Sequence, residues 1–255
     1  MVPAPLSTSN DIVTAAILVI GDEILSGRTK DTNIGTIADH LTNIGIRLKE
    51  VRIVADDEAA IIAGINALRS AYDYVFTTGG IGPTHDDITT DAVAKAFGVE
   101  VILDPRAVAM LRERYSEARL TPARLRMART PIGAELIANP LSKAPGFILG
   151  NVLVMAGVPS IMKVMLAEVT PTLRTGKPLI SLTIHSPELE GDIANLFAET
   201  QVEFPDVLMG SYPYFQNDRK GVYLVLRATG LERLNTAADI LKTRLVKAGL
   251  RYDDP

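Results

Sequence analysis

Apolar positions along the chain switch repeatedly between two periods. Ala15 to Ile20 is an unbroken apolar run, the form of a strand buried on both faces. Asn33 to Ile44 then places Ile34, Ile37, Ala38, Leu41 and Ile44 on one helical face, with Gly45 where a left-handed terminating residue belongs. Ile46, Leu48, Val51 and Ile53 predict a second strand. Asp56 or Asp57 predicts the cap of a helix running through Leu68, and Tyr74 to Thr78 a third strand. Thr89 to Phe97 predicts a helix stopped by Gly98, Val99 to Leu103 a short strand, and Arg106 to Arg129 one or two helices around Thr121-Pro122. Phe147 to Leu149 and Val152 to Met155 flank Gly150-Asn151, a two-residue hairpin signal, after which Ser160 opens a helix toward Val169. Around Thr175 to Pro178 the pattern resets. The remainder reads strand (Leu179 to Ile184), helix (Glu188 to Phe204), strand (Val207 to Tyr214), strand (Val222 to Ala228) and helix (Leu231 to Ala248), with Gln216 to Gly221 as a turn. Strands alternating with helices predict a parallel sheet covered by helices. The expected organisation is an arm over residues 1–11, an α/β domain over 12–175 and a smaller α+β domain over 176–255.

Composition narrows the classes of function. The 255 residues are 47% hydrophobic and 22% charged, an ordinary globular balance. The chain has no Cys, which excludes disulfides, thiolate metal sites and a cysteine nucleophile, and suits a reducing, cytoplasmic compartment. No apolar run approaches the roughly 18 to 20 residues of a membrane span, and Met1 to Asp11 lacks the basic and apolar regions of a secretory signal. With 26 Lys+Arg against 30 Asp+Glu, a net charge of -4, no clustered basic face is expected to bind nucleic acid. A small anionic ligand remains compatible.

The chemistry concentrates in Thr77 to Thr89, T-T-G-G-I-G-P-T-H-D-D-I-T, which joins a strand to a helix. Its three glycines let backbone N–H groups approach a ligand, and the helix start favours an anion such as phosphate. It is neither a Walker loop nor a dinucleotide fingerprint. Asp86 and Asp87 lie in the same loop, Asp91 near the first helical turn, and Asp22-Glu23 directly after the first strand. Loops at the C-terminal edge of a parallel sheet share one crevice, so these five carboxylates would repel a phosphate unless a divalent cation (magnesium, manganese or cobalt) lay between. Helix capping explains one of the aspartates but not the group. Of the histidines, His85 alone is a candidate ligand or base, while His40 and His185 show no partner pattern. Tyr212 and Tyr214 share one strand face and Phe215 takes the other, a pattern that packing explains. No Gly-x-Ser-x-Gly elbow supports a serine hydrolase.

Gly21-Asp22-Glu23-Ile24-Leu25-Ser26-Gly27, Asp31-Thr32-Asn33, the Thr77 to Thr89 loop, Ala144-Pro145-Gly146-Phe147 and Gly157-Val158-Pro159-Ser160 together resemble the molybdopterin-binding, MoaB/Mog-like domain of the CinA competence/damage-inducible family. Gly210-Ser211-Tyr212-Pro213 and the strand Val222 to Arg227 resemble the domain that follows it there and in eukaryotic FAD synthases. The resemblance implies a three-layer α/β/α fold with a mostly parallel sheet, a homo-oligomer (dimer or trimer), and metal-dependent hydrolysis of the diphosphate in ADP-ribose or FAD. More distant relatives bind or adenylylate molybdopterin, and the alternative expectation is a molybdopterin- or nucleotide-binding module of molybdenum-cofactor metabolism without hydrolytic turnover. Asp86, Asp87 and Asp22 are the expected catalytic groups, and the same three with Glu23 and Asp91 the expected metal ligands. Thr78, Gly79, Gly80, Ile81 and Gly82 would cradle the phosphates, and Asn33, Thr84, Lys143, Gly157 and Lys163 would orient the substrate. The chain departs from the family pattern at Pro131-Ile132-Gly133-Ala134, where Ile132 replaces a carboxylate, at Ala156, and at Ser142-Lys143. It ends at Pro255, before the deamidase domain of the long family form, so no deamidase activity is expected.

Overall fold

The apolar run forms β1 (Val13–Ile20), whose alternate side chains enter two different cores. The computed structural model describes residues 12–216 and 219–253, and the expected arm over 1–11 lies outside them. Ala15, Ile17 and Val19 pack beneath α2 (Asn33–Asn43) and α7 (Pro159–Val169), through Ile37, Leu41, Met162 and Leu166. Ala16, Leu18 and Ile20 face α3 (Glu58–Ala71) and α4 (Thr89–Phe97), through Ile61, Ile65, Leu68 and Val93. Helices therefore cover both faces of the sheet, and the unit is a three-layer α/β/α fold.

That sheet has the order β2-β1-β3-β8-β7-β6. β2 (Ile46–Val54), β1, β3 (Tyr74–Thr78) and β8 (Val152–Met155) are parallel; β7 (Gly146–Leu149) and β6 (Glu135–Ile137) run antiparallel at one end. The hairpin β7–β8 turns at Gly150-Asn151, with Gly150 at φ 58°. α1 (Asp22–Leu25) follows β1 at once.

Several boundaries differ from expectation for local reasons. Asp57, not Asp56, caps α3, accepting the Ala60 N–H at 2.8 Å. Ser160 makes no capping hydrogen bond: α7 starts a residue earlier, at Pro159, whose fixed φ suits the first helical position. The strand expected over Val99 to Leu103 is shorter, β4 (Val101–Leu103), and pairs outside the main sheet with β5 (Arg129–Pro131). The span Arg106 to Arg129 holds α5 (Pro105–Arg112), a 3-10 turn and α6 (Pro122–Arg126), the last capped by Thr121. β5 and β6 have three residues each, too short for any periodicity to announce them.

The chain divides into two compact units between Gly176 and Lys177. In the second, β9 (Ile180–Ser186), β10 (Leu208–Gln216) and β11 (Arg219–Ala228) form an antiparallel sheet in the order β10-β11-β9. α8 (Glu190–Glu203) and α9 (Leu231–Lys247) cover one face, burying Leu224, Leu226, Leu234 and Leu241. The expected turn over Gln216 to Gly221 is mostly strand; its centre, Asn217-Asp218, lies outside the described residues. On the uncovered face Tyr214, Tyr223 and His185 stack with ring centroids 4.8 to 5.3 Å apart. Tyr212 and Phe215 stand 48% and 75% exposed, so burial does not account for them.

Candidate functional site

β2, β1, β3 and β8 end at the same edge of the sheet, and the loops leaving them enclose a cleft of about 540 Å³. A crevice outside the carboxyl ends of parallel strands is where open α/β sheets bind ligands, and this volume lies within the roughly 300–1,000 Å³ of small-molecule sites. Its base is made of loop starts without side chains. A Cβ on Gly79 (φ 106°) would lie 2.1 Å from the Ile20 carbonyl oxygen, and one on Gly80 (φ 66°) 2.1 Å from the Thr89 hydroxyl. Gly157 approaches Gly79 closely enough that its own Cβ would sit 3.3 Å from the Gly79 Cα. The strands thus converge because these positions are glycine.

The loop uses several of its own donors. Gly79 N–H donates to the Met155 carbonyl at 3.2 Å, and the Thr89 N–H and hydroxyl donate back to Gly80 and Gly79 carbonyls at 3.0 Å. Asp87 accepts the Gly82 N–H at 2.7 Å, the Thr84 N–H at 2.8 Å and the Thr84 hydroxyl at 2.5 Å. The expected donor set of Gly79 to Gly82 is accordingly reduced: Gly79 and Gly82 are engaged, and among the described residues no protein acceptor takes the N–H of Gly80 or Ile81. Asp87 shapes the loop, which limits its freedom as a ligand.

The carboxylates separate into two groups. Asp91 makes a two-point ion pair with Arg129 at 2.6 and 3.0 Å and does not line the cleft, which corrects its expected role as a metal ligand: its charge is already neutralised. Glu23, Asp56, Asp86 and Asp87 line the cleft. Asp22 does not, but its N–H donates to Asp56 at 2.9 Å. Burial pushes the Asp56 carboxyl up, and the charges of Asp22, Glu23 and Asp86 push the same way. The adjacent Thr84 side chain and its own backbone N–H hold Asp86 below the usual carboxylate range. Among the described residues no group of three or more His, Asp and Glu side chains is placed to hold a metal by protein ligands alone.

The substrate-orienting residues scatter more than expected. Gly79 to Gly82 and Gly157 line the cleft; Thr78, Thr84, Asn33, Lys143 and Lys163 do not. Thr78 and Asn33 are buried, and Asn33 donates to the Gly157 carbonyl at 2.7 Å, a structural tie between α2 and the loop before α7. Lys143 pairs with Glu113 at 2.6 Å. His85 is fully exposed at 3.9 Å from Asp86, whereas His40 bonds Thr170 at 2.7 Å, and His185 meets Tyr214 and, at 3.3 Å, Asp253. The last two have partners that no local pattern announces. Three contributors were not singled out by sequence: Asp56, Asn139 and Arg126. Asn139 is buried and ties the 139–144 wall together through Ser142 and the Ala144 carbonyl; Arg126 donates to the Asp87 carbonyl at 3.2 Å. Asp56 was legible in principle, since it follows β2 as Asp22 follows β1.

Residues 16–175 match the family described as "Probable molybdopterin binding domain", and residues 178–254 match "FAD synthase, middle domain". A CinA-like protein of Citrifermentans bemidjiense is 36% identical over 244 residues, covering 90% of this chain and 58% of that protein. Another, from Syntrophus aciditrophicus, is 36% identical over 251 residues, covering 93% of this chain and again 58% of the relative. This chain thus spans little more than half the length of those relatives. The crystal structure of the protein CinA, of unknown function, from Thermoplasma acidophilum superposes with a TM-score of 0.60 at 35% identity, over 64% of this chain and 99% of that one. Matches across both units, in the same order, place the chain in the CinA-like family, with a molybdopterin-binding MoaB/Mog-like domain first and an FAD-synthase middle-type domain second.

Proposed function

We propose that the cleft binds a phosphorylated heterocyclic ligand and, with a divalent cation, hydrolyses a diphosphate bridge such as that of ADP-ribose or FAD. The observation that carries this reading is the crowding of carboxylates beside a phosphate-type glycine loop. Glu23, Asp56 and Asp86 line one cleft, and Asp56 is pushed up by burial and by its acidic neighbours. An anionic ligand enters such a place only with positive charge between it and the acids. Magnesium-type sites commonly take one or two carboxylates and complete their shell with substrate phosphates and water, so a protein cage of three ligands is not required. Asp86 and Asp56 are the residues that would supply those one or two carboxylates. A cation held there supplies Lewis-acid activation of the phosphoryl group and of the attacking water. Gly80 and Ile81 N–H groups donate to phosphate oxygens, and Asp87 keeps those donors aimed by bracing the loop from beneath.

The second reading is a binding module for a molybdopterin-type pterin without turnover, favoured by the domain match. Incubation with ADP-ribose and with FAD, each with magnesium, manganese or cobalt, separates the two. AMP release that disappears in Asp86→Ala supports the hydrolase. Tight calorimetric binding of molybdopterin with no AMP from either substrate under any metal supports the module and discards the hydrolase.

A further inference from the structure

The net charge of -4 conceals an uneven distribution: between Arg106 and Arg129 the chain carries seven arginines and only two acids, Glu113 and Glu117. Those two acids, and two more from outside the segment, are already engaged. Glu113 pairs with Lys143, Glu117 with Arg112, Asp104 with Arg106, and Asp91 with Arg129. Among the described residues Arg114, Arg124 and Arg126 have no carboxylate partner and donate to main-chain carbonyls instead. Arg114 reaches Leu141 at 2.5 Å, Arg124 reaches Arg119 at 2.6 Å, and Arg126 reaches Asp87 at 3.2 Å. A carbonyl orients a guanidinium without neutralising it, and leaves most of its N–H donors open. The Nε of Arg126 is buried with no acceptor among the described residues.

Arg114 and Arg124 also share the Tyr115 ring, their guanidinium carbons 5.9 and 4.5 Å from its centroid, so one side chain gathers two like charges. The main-chain contacts tie this group to the cleft. Leu141 lies between Asn139 and Ser142, which line it, and Arg126 is followed by Met127 and bonded to Asp87, which line it too. The three arginines do not line the cleft themselves and so stand at its rim. Uncompensated guanidinium groups gathered beside a cleft of small-molecule size make a place for an anion. We propose that Arg114, Arg124 and Arg126 form a second anion subsite at this rim, which takes a phosphomonoester carried by the ligand beyond the phosphate held at the glycine loop. The proposal rests on the reading that the cleft binds a phosphorylated ligand, and narrows the class to ligands with an additional terminal phosphate. Such a group carries about two negative charges and three acceptor oxygens, which matches several guanidinium forks at once.

Calorimetric titration with ADP-ribose and with ADP-ribose 2′-phosphate, each with magnesium, tests the proposal. The wild-type chain binds the 2′-phosphorylated compound about tenfold or more tightly than ADP-ribose, the scale of one or two charge-assisted hydrogen bonds, and the preference shrinks as salt rises. In R114Q/R124Q, and separately in R126Q, the two affinities converge. R114K/R124K keeps part of the preference, because the charge remains while the planar fork is lost. The readout is a ratio of two affinities within one variant, so a variant that is merely less stable keeps it. A wild type that binds ADP-ribose without preferring its 2′-phosphate overturns the subsite and leaves the reading of the cleft standing. A preference that survives in the glutamine variants overturns the subsite as well. Binding of neither compound overturns both.

Discussion

Asp86 and Asp87 are neighbours in sequence with different work. Asp87 accepts three hydrogen bonds from Gly82 and Thr84, and Asp86 projects into the cleft. Asp87→Ala is expected to lower stability by about 1–2 kcal/mol by orphaning loop donors, whereas Asp86→Ala leaves the melting temperature unchanged. Equal melting curves for the two would sink this division of labour. Gly79→Ala meets a left-handed backbone and a carbonyl at 2.1 Å, and should cost on the order of 3 kcal/mol in denaturant titration. Asp104 gives the clearest pH dependence. It is buried, accepts hydrogen bonds from Arg106 and Thr130, and is held down to about 2 from 3.8, chiefly by the Arg106 guanidinium. A depressed carboxylate stabilises the fold above its unfolded pKa and releases that contribution as pH falls through the folded value. Stability should thus drop by about 1–2 kcal/mol between roughly pH 4 and pH 2, discounted for the exposure of Arg106. The drop should be absent in Asp104→Asn, measured by acid titration of unfolding.

At the scale of elements, periodicity served well where segments were long. The helix Thr89 to Phe97 with its Gly98 stop was legible to the residue, because Gly98 adopts φ 68° and a left-handed terminus is a local property. The strands ending at Ile20 and Thr78 were equally legible, and they set the loops that line the cleft. Between α4 and β7 the short strand β4 and the helices either side of Thr121-Pro122 were legible in outline, but β5 and β6 were not: they have three residues each and exist through pairing, so their signal lies in partners rather than in their own pattern. The same distinction explains the site. Asp91 reads as a ligand by its place near the first turn of the helix after the loop, but Arg129, 38 residues later, claims it. Removing that partner, as in Arg129→Ala, leaves Asp91 uncompensated where it is partly buried, and should destabilise the fold by about 1–3 kcal/mol in thermal unfolding.

Across the whole molecule, the two units each own a core, with no helix among the described residues long and apolar enough to cross a membrane. Leu241→Ala empties part of the second core and should cost about 2–5 kcal/mol there. Ligand binding at the cleft of the first unit should survive, and calorimetric titration of the variant checks it. By itself the sequence determined the strand–helix alternation, the change of pattern near Gly176, and the glycine-and-aspartate loop, since each follows from local periodicity, backbone freedom and charge. Tertiary structure decided which charges remain available. Folding brought Asp56 beside Asp22, paired Asp91 with Arg129 and Lys143 with Glu113, and buried Asn33 and Thr78. A side chain's type is written in the chain, but its remaining bonding capacity depends on neighbours that only the folded backbone supplies.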